Sequence, residues 1–391
     1  MKRPAGVTES AWMEVDLDKF AQNIQNLRES VGLGIKMMFV IKGDGDGYGA
    51  VMLAKTSIEN NVDAFAVARV FEGVDLRKEG INIPILNLGY FTDDEVSDII
   101  KYDISQTVYR LDIAQQLNDA AKAAKKKINI HISVDTGMGR LGVLPEYFEE
   151  FIDGLVKLKN LYIEGLYTHF SSATETNSRF TRLQIEKFNK INDVLRSKDI
   201  AVPLIHAANS AAILNYPEFC FNMIRPGIIL YGSLPKNNNP DNKLHVEPIG
   251  SLKTEISHIK RMPAQSPVSY DRTYYTEKDS IVITFPVGYA DAFNRVMSNN
   301  AEILVKGHRF PVVGKISMDQ AMADLGGFDD VSIGDQVVIF GKDGNEEITI
   351  TDIAKRINTS EHEIQNKIGY RVPRVYMQNG EVVAVRRYKL I

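Results

Sequence analysis

The chain of 391 residues is long enough for two or three domains, and its 44% hydrophobic and 25% charged residues are typical of a soluble globular protein. Because 46 basic residues face 50 acidic ones, the formal charge of −4 argues against a general affinity for nucleic acid. A single cysteine excludes an intrachain disulfide, and neither a signal peptide nor an apolar run long enough to span a membrane is evident, so we expect a cytoplasmic protein without a membrane partner.

Short apolar runs alternate with longer amphipathic segments over the first 235 residues. Segments 110–126 and 178–198 place apolar side chains at helical spacing and predict helices. Eight strands, each followed by a helix or a long connection, favour a (β/α)8 barrel, whereas one strand fewer would favour an open, doubly wound sheet. The predicted strands are 36–41, 64–68, 84–88, 106–109, 128–134, 162–167, 204–206 and 223–230.

The pattern changes near residue 234. The polar, Asn-rich segment 236–243 indicates a linker or surface loop. The next runs have strand character, 342–347 is typical of a hairpin, and 350–356 predicts one helix, capped by Thr351 or Asp352. We therefore predict a barrel domain over residues 1–240 and a mainly β domain over residues 241–391. The predicted β runs are 251–259, 280–287, 301–305, 310–316 and 336–340.

Lys42 follows the first predicted strand and opens a glycine-rich loop, VIKGDGDGYGA. The carboxyl ends of barrel strands form the mouth in which barrel enzymes place their active sites. An amine that loses part of its hydration there becomes a nucleophile capable of Schiff-base chemistry. The alternative is a surface lysine beside a flexible loop.

Three later motifs place polar groups at the same end of the predicted barrel. In DTGMGRLG, Arg140 could clamp a carboxylate or a phenolate, or form a surface ion pair. In HAANSAA, Ser210 could hold a phosphate or simply cap a helix. In IRPGIILYG, predicted as the eighth strand, Arg225 needs a partner if it is buried, and the N–H groups of Gly227 and Ile228 suit a phosphate.

Ten ordered segments resemble the alanine racemase family over nearly the whole chain. The resemblance implies a pyridoxal phosphate (PLP) enzyme, a barrel followed by a β domain, and a head-to-tail homodimer that produces D-alanine for peptidoglycan. No metal is implied. The segments are AWMEVDLDKFAQNI, VDTGMGRLGV, GLYTHFSSA, HAANSAA, MIRPGIILYG, SLKTEI, VSYDRTY, FPVGYADAF, VVGKISMDQ and GYRVPRVY.

The resemblance also implies roles for individual residues. Lys42 matches the lysine that binds PLP and acts as one acid/base group, and Tyr270, from the partner subunit, matches the opposite base. His169 matches the histidine behind that tyrosine. Arg225 matches the arginine facing the pyridine nitrogen, and Arg140 the one near the cofactor's phenolic oxygen and the substrate carboxylate. Phosphate contacts are implied for Tyr48, Ser210, Gly227, Ile228 and Tyr370, and a substrate contact for the backbone N–H of Met318.

The sequence departs from the family pattern in the cofactor loop and in the pocket. An Asp-Gly pair lengthens the loop 43–47, and Ser133 stands where many members carry a lysine that becomes carbamylated. Smaller departures lie at Ala50, Ala292 and Ser317. A racemase of serine or of a larger amino acid therefore stays an alternative, and so does a PLP-binding protein that maintains the PLP supply.

Overall fold

The computed structural model describes residues 3–235 and 242–388, so most of the predicted linker 236–243 lies outside the described residues. The chain divides into two compact units. The barrel unit contains residues 20–45 and 50–247. The sheet unit contains the described residues up to 19, the segment Asp46–Gly49 and the described residues from 248 onward.

The barrel unit is a closed ring of eight parallel strands, which confirms the predicted (β/α)8 architecture and not an open sheet. The ring closes where the first strand pairs with the last, Lys36 beside Met223. Buried Met38, Ala66 and Leu86 pack in one core cluster, as expected for strands that are covered on both faces. The strands are β2 Lys36–Val40, β3 Ala64–Val67, β4 Ile85–Asn87, β5 Ser105–Val108, β6 Ile128–Ser133, β7 Leu161–Tyr167, β8 Leu204–Asn209 and β9 Met223–Arg225.

Helices connect the barrel strands, and the two predicted ones are confirmed as Leu111–Ala123 and Arg179–Ser197. The longer begins where the Ser178 hydroxyl accepts a bond from the Thr181 N–H, which satisfies a free donor of the first turn. The other helices up to residue 235 are Leu17–Val31, Ala50–Glu59, Val70–Lys78, Val96–Lys101, Phe148–Leu155 and Ser210–Asn215, with 3₁₀ turns at Asp93–Glu95, Pro145–Tyr147 and Pro217–Phe219. Lys42–Asp46 is a turn with left-handed backbone angles.

The eighth barrel strand is shorter than predicted. It ends at Arg225, whereas the apolar pattern predicted a strand up to residue 230. Pro226 has no N–H to donate to a neighbouring strand, and tight turns follow, with the Leu230 N–H bonded to the Gly227 carbonyl at 2.9 Å. Ile229 and Leu230 are fully buried although they lie in these turns, so an apolar pattern does not distinguish a buried turn from a buried strand.

The sheet unit is mainly β, as predicted. The strands are β1 Ala11–Asp16, β10 Gly250–Glu255, β11 His258–Met262, β12 Pro267–Val268, β13 Tyr274–Tyr275, β14 Ser280–Phe285, β15 Glu302–Val305, β16 His308–Pro311, β17 Ala321–Asp324, β18 Gln336–Asp343, β19 Glu346–Ile348, β20 Arg374–Gln378 and β21 Glu381–Arg386. The largest sheet has the order β16-β15-β18-β10-β1-β20-β21 with β19 beside β18, and smaller sheets are β11-β14-β17 and β12-β13. The helices are Ile350–Arg356 and Glu361–Asn366, with 3₁₀ turns at Tyr270–Arg272 and Arg295–Met297.

Several details of the sheet unit differ from the prediction. The first strand, β1, pairs with β10 and β20 and belongs to this unit, although residues 1–240 were assigned to the barrel domain. The predicted run 251–259 divides into β10 and β11, and the run 310–316 is a strand only up to Pro311. The predicted helix Ile350–Arg356 is present, but its cap is Thr349 and not Thr351 or Asp352, because the Thr349 hydroxyl accepts the Asp352 N–H at 3.0 Å.

Among the described residues, no helix is both long and apolar enough to cross a membrane. Cys220 is buried and free, and burial raises the pKa of its thiol to about 12. A thiol that stays protonated in this way is a packing residue and not a nucleophile.

Candidate functional site

Lys42 lies two residues beyond the end of strand β2, and its side chain is exposed. The next three residues turn with left-handed backbone angles, including Asp44 at φ 53°, a region that L-residues with a side chain rarely adopt. Two bonds stabilise this turn: the Gly43 N–H donates to a Glu72 carboxylate oxygen at 2.6 Å, and the Ala50 N–H donates to Asp44 at 2.9 Å. The backbone that follows the lysine is therefore anchored at both ends of the loop.

Arg225 ends strand β9 as a buried cation, with 3% of its surface exposed. Its guanidinium donates to the Thr168 carbonyl at 2.9 Å and lies 2.7 Å from His206 Nδ1 and 3.3 Å from His169 Nδ1. Burial lowers the pKa of Arg225 to about 10, so the group stays charged at neutral pH. Strand β9 thus ends in a fixed positive charge with several acceptors around it.

His169 is held neutral by its surroundings. Burial, followed by the positive charges of Arg225, Arg140 and Lys42, lowers its pKa from 6.5 to about 3. Because a guanidinium only donates, the ring nitrogen that faces Arg225 must accept, which leaves the proton of His169 on Nε2. The structure therefore brings four predicted site residues together at one end of the barrel.

Ser210 and Gly227 meet after strands β8 and β9. The Gly227 N–H donates to the Ser210 hydroxyl oxygen at 3.0 Å, and Ile228 follows in the same turn. Ser210 does not cap its helix, since Asn209 does so by accepting the Ala212 N–H at 3.0 Å. A hydroxyl and backbone N–H groups after the last two strands are the arrangement with which barrels bind phosphate.

In the sheet unit, Tyr270 stands on a strained turn and is 64% exposed. Ser269, Asp271 and Arg272 around it all have positive φ, of 65°, 57° and 50°. The Ser269 hydroxyl donates to the Lys315 carbonyl at 2.5 Å, and the Lys315 ammonium forms an ion pair with Asp271. Several contacts thus hold an exposed phenol in a conformation that the free chain would rarely adopt.

Met318 and Tyr370 lie on two loops of the sheet unit that a salt bridge joins. Both side chains are about half exposed. The Arg371 guanidinium, next to Tyr370, bonds to the Asp319 carboxylate at 2.8 Å, and the Met318 carbonyl accepts the Ala290 N–H at 3.1 Å. The two predicted contact residues are therefore fixed in one part of this unit.

Tyr48 is buried in the sheet unit, with 1% of its surface exposed, and its hydroxyl lies 3.2 Å from Gln365 Nε2. Burial raises its pKa far above the ordinary tyrosine value. Its role as a phosphate contact stays a prediction. Gln365 was not predicted as a neighbour of Tyr48, because the helix Glu361–Asn366 that carries it was not predicted.

The structure adds polar residues inside the barrel that the sequence analysis did not assign. His206, His131 and Glu164 form a hydrogen-bonded chain with Arg225. The only signal was their position within apolar strands, where a polar side chain needs a partner. Ser133 is buried at the end of β6.

The barrel residues fit PLP by the chemistry of their groups. The Ser210 hydroxyl and the Gly227 turn suit its phosphate, Lys42 suits its aldehyde, and Arg225 suits its ring nitrogen. No group of His, Cys, Asp and Glu among the described residues has a metal-binding arrangement.

Comparison with known proteins gives consistent relatives for both units. The family model described as alanine racemase, N-terminal domain, matches residues 15–235, and the one for the C-terminal domain matches residues 249–376. Alanine racemase 1 of Clostridium acetobutylicum is 44% identical over 96% of this chain and 98% of its own. A solved alanine racemase of Clostridium difficile 630 has a TM-score of 0.94, 40% identity, and covers 98% of this chain and 100% of its own. The structure from Bacillus anthracis with bound L-Ala-P has a TM-score of 0.93 and 33% identity, and the match covers 98% of this chain and 99% of that one.

Proposed function

Because this chain belongs to the alanine racemase family, we propose that it interconverts L- and D-alanine with PLP carried on Lys42 and with Tyr270 as the second acid/base group. The observation that carries this proposal is the cluster at the barrel mouth. There Arg225 is charged and buried, while His169 beside it is neutral. The alternatives, a racemase of larger amino acids and a PLP-binding protein, are not favoured, since the relatives at 40–44% identity are named alanine racemases.

The proposed roles follow from the groups at the barrel mouth. When bound, PLP supplies an electron sink that acidifies the α-hydrogen of the amino acid. Inversion then needs a proton removed on one face of the α-carbon and returned on the other, so two acid/base groups are the minimum. Lys42 Nζ would serve one face and the Tyr270 phenol oxygen the other. Arg140 would bind the substrate carboxylate, together with the backbone N–H of Met318.

His169 and Arg225 would set the electrostatics of this proton exchange. The Nε2 proton of His169, assigned above, is free to donate to the phenol oxygen of Tyr270, which would favour the form that accepts a proton from the substrate. Arg225 would donate a hydrogen bond to the ring nitrogen but retain its proton, because its pKa of about 10 lies far above that of a pyridine. An unprotonated ring favours racemisation over transamination.

We further propose that the active protein is a homodimer in which the sheet unit of one copy supplies Tyr270 and Met318 to the other copy. The exposure of both side chains in the single chain supports this arrangement, since 64% of Tyr270 and 51% of Met318 are accessible.

We infer a cytoplasmic location, supported by the single buried and free cysteine, and a role in supplying D-alanine for peptidoglycan.

Chiral separation of products tests the activity. The PLP-loaded protein should convert L-alanine faster than L-serine or L-lysine, and equal rates would instead favour a broad racemase. Lys42→Ala should abolish turnover and the visible absorbance of lysine-bound PLP, whereas Lys55→Ala, an exposed position on the next helix, should change neither. Bound PLP without turnover in the wild type would favour a PLP-binding protein.

A further inference from the structure

A chain of four polar side chains runs through the barrel interior from Arg225 to Glu164. Arg225 Nη1 lies 2.7 Å from His206 Nδ1, His206 Nε2 lies 2.9 Å from His131 Nδ1, and His131 Nε2 lies 3.1 Å from a Glu164 oxygen. Both imidazoles are almost fully buried, and the Glu164 side chain is only 17% exposed. The reaction described above uses Arg225 and leaves the far half of the chain without a role.

The guanidinium determines where every proton in this chain lies. Arg225 has no acceptor, so His206 Nδ1 must accept and its proton must sit on Nε2. That N–H donates to His131 Nδ1, which places the proton of His131 on Nε2, facing the Glu164 carboxylate. Burial, followed by the charge of Arg225, lowers the pKa of His206 well below its ordinary value, in keeping with a neutral ring. All donors therefore point from Arg225 toward Glu164.

The strand next to His131 is built to accommodate its ring. Gly165, paired with His131 across β6 and β7, has no side chain, and a Cβ there would lie 2.1 Å from His131 Nδ1. Both oxygens of Glu164 have additional donors, since the Ser105 hydroxyl and the Asn129 amide each lie 3.0 Å away. The carboxylate is thus held in one orientation, ionised, as the end of the chain.

The end of the hydrogen-bonded series at Arg225 is also closely packed. The Tyr167 ring stacks on His206 with 5.0 Å between ring centroids, and the Arg225 guanidinium lies 5.1 Å from the centroid of the same Tyr167 ring. The Tyr167 hydroxyl in turn lies 3.2 Å from the Thr107 hydroxyl. These contacts leave His206 and Arg225 little freedom to rotate, which fixes the direction of the guanidinium.

We propose that Glu164 and His131 are positioning residues that keep Arg225 charged and oriented. The negative charge of the carboxylate polarises the two neutral imidazoles that lie between Glu164 and the guanidinium. Each imidazole that donates toward Glu164 becomes a stronger acceptor on its other nitrogen, so the effect reaches the guanidinium. Because no donor points toward Arg225, the chain cannot replace a proton that Arg225 would lose to the ring nitrogen. The inference rests on the proposed function in placing Arg225 opposite that nitrogen.

Nuclear magnetic resonance of the PLP-free wild type tests the proton order without any assay of turnover. Protein labelled with ¹⁵N in its seven histidines, assigned by single substitutions, should show His131 and His206 as neutral rings protonated on Nε2 at neutral pH. A proton on Nδ1 of either ring, or a doubly protonated ring, would overturn the proposal. Substitutions at the other histidines assign their signals and leave those of His131 and His206 by elimination. The test therefore does not depend on whether a His131 or His206 variant folds.

Kinetics of Glu164 variants test the positioning role. Glu164→Gln keeps an acceptor but loses the charge, so kcat should fall about tenfold while KM for alanine changes less than about twofold. Glu164→Asp should recover most of the loss, and Glu150→Gln, the same change at an exposed position of the helix Phe148–Leu155, should leave kcat close to wild type. A wild-type kcat in Glu164→Gln would contradict the proposal. Failure of the wild type itself to racemise would instead contradict the proposed function, with the histidine spectra still deciding the proton order.

Discussion

The carboxylate of Asp46 lies 2.5 Å from Nδ1 of His362, and its other oxygen accepts the Asn366 amide at 3.2 Å. Asp46 belongs to the glycine-rich loop after Lys42, has a positive φ of 50°, and is only 4% exposed. A buried carboxylate needs such partners, because an unpaired one would lose several kcal/mol of hydration. Within the sheet unit, these two bonds therefore connect Asp46 to the helix Glu361–Asn366.

Replacing Asp46 by alanine should destabilise the protein by about 1–3 kcal/mol, since two polar partners lose a buried acceptor. A double-mutant cycle with His362→Ala, followed by urea unfolding of the PLP-loaded protein, should give an interaction free energy of about 1 kcal/mol or more. Strictly additive effects would show that the short contact contributes no stability. Because Tyr48 lies two residues away, PLP affinity should fall in Asp46→Ala as well.

The turn that carries Tyr270 packs directly against Gly314, where no side chain could be accommodated. Its φ is +73°, and a Cβ would lie 2.6 Å from Ser269 Cβ and 2.8 Å from the Val268 carbonyl. Gly314→Ala should therefore displace the phenol, lowering kcat and destabilising the fold by about 1–3 kcal/mol. Gly307→Ala is the matched control, with φ +74° but its nearest contact at 3.8 Å, so it should show the backbone cost alone. If Gly314→Ala lowers the melting temperature and kcat no more than Gly307→Ala does, the turn tolerates the methyl group.

Tyr270→Phe should lower racemisation by about 10²–10⁴, because one face of the α-carbon loses its acid/base group. In deuterated water, exchange of the α-hydrogen should persist for one enantiomer, since Lys42 still serves the other face. Tyr275→Phe, which is also exposed and lies in the adjacent strand, should retain wild-type rates. Loss of exchange for both enantiomers would argue against separate bases on the two faces.

The barrel was predictable from sequence because each of its strands is a short apolar run bounded by turn residues. The predicted ends were accurate to a few residues except at β9, where Pro226 stops the strand within an apolar run. Strand β1 was not placed, since its partners in β10 and β20 are more than 200 residues away in the chain and local pattern carries no information about them.

The candidate site was only partly predictable. The resemblance pointed to Lys42, Arg225 and His169, and the structure brings them together. The contacts of His206 with His131 arise from the closure of the barrel, which places β6 and β8 side chains in one interior. No motif encodes such a contact. The sequence likewise did not show that Asp46 would contact His362, because the two residues are separated by 316 positions.

The free energy of unfolding should fall on acidification because of His169. Its folded pKa is about 3, against 6.5 without the surrounding cations and burial, so the unfolded chain takes up the proton first as the pH falls. The stability that depends on a neutral His169 is therefore complete above pH 6.5 and is lost as the pH falls from there toward 3. Within that window the free energy of unfolding should decrease, because of His169, by about 1.4 kcal/mol per pH unit.

The difference between wild type and His169→Gln isolates this contribution, because other groups that titrate are common to both proteins. Melting temperatures of the PLP-free proteins, measured at intervals between neutral pH and pH 4, should decline less steeply for His169→Gln. His258→Gln, at an exposed position of β11, should decline as steeply as wild type. Parallel curves for wild type and His169→Gln would mean that the folded and unfolded chains protonate His169 at the same pH, and the lowered pKa of the folded ring would be refuted.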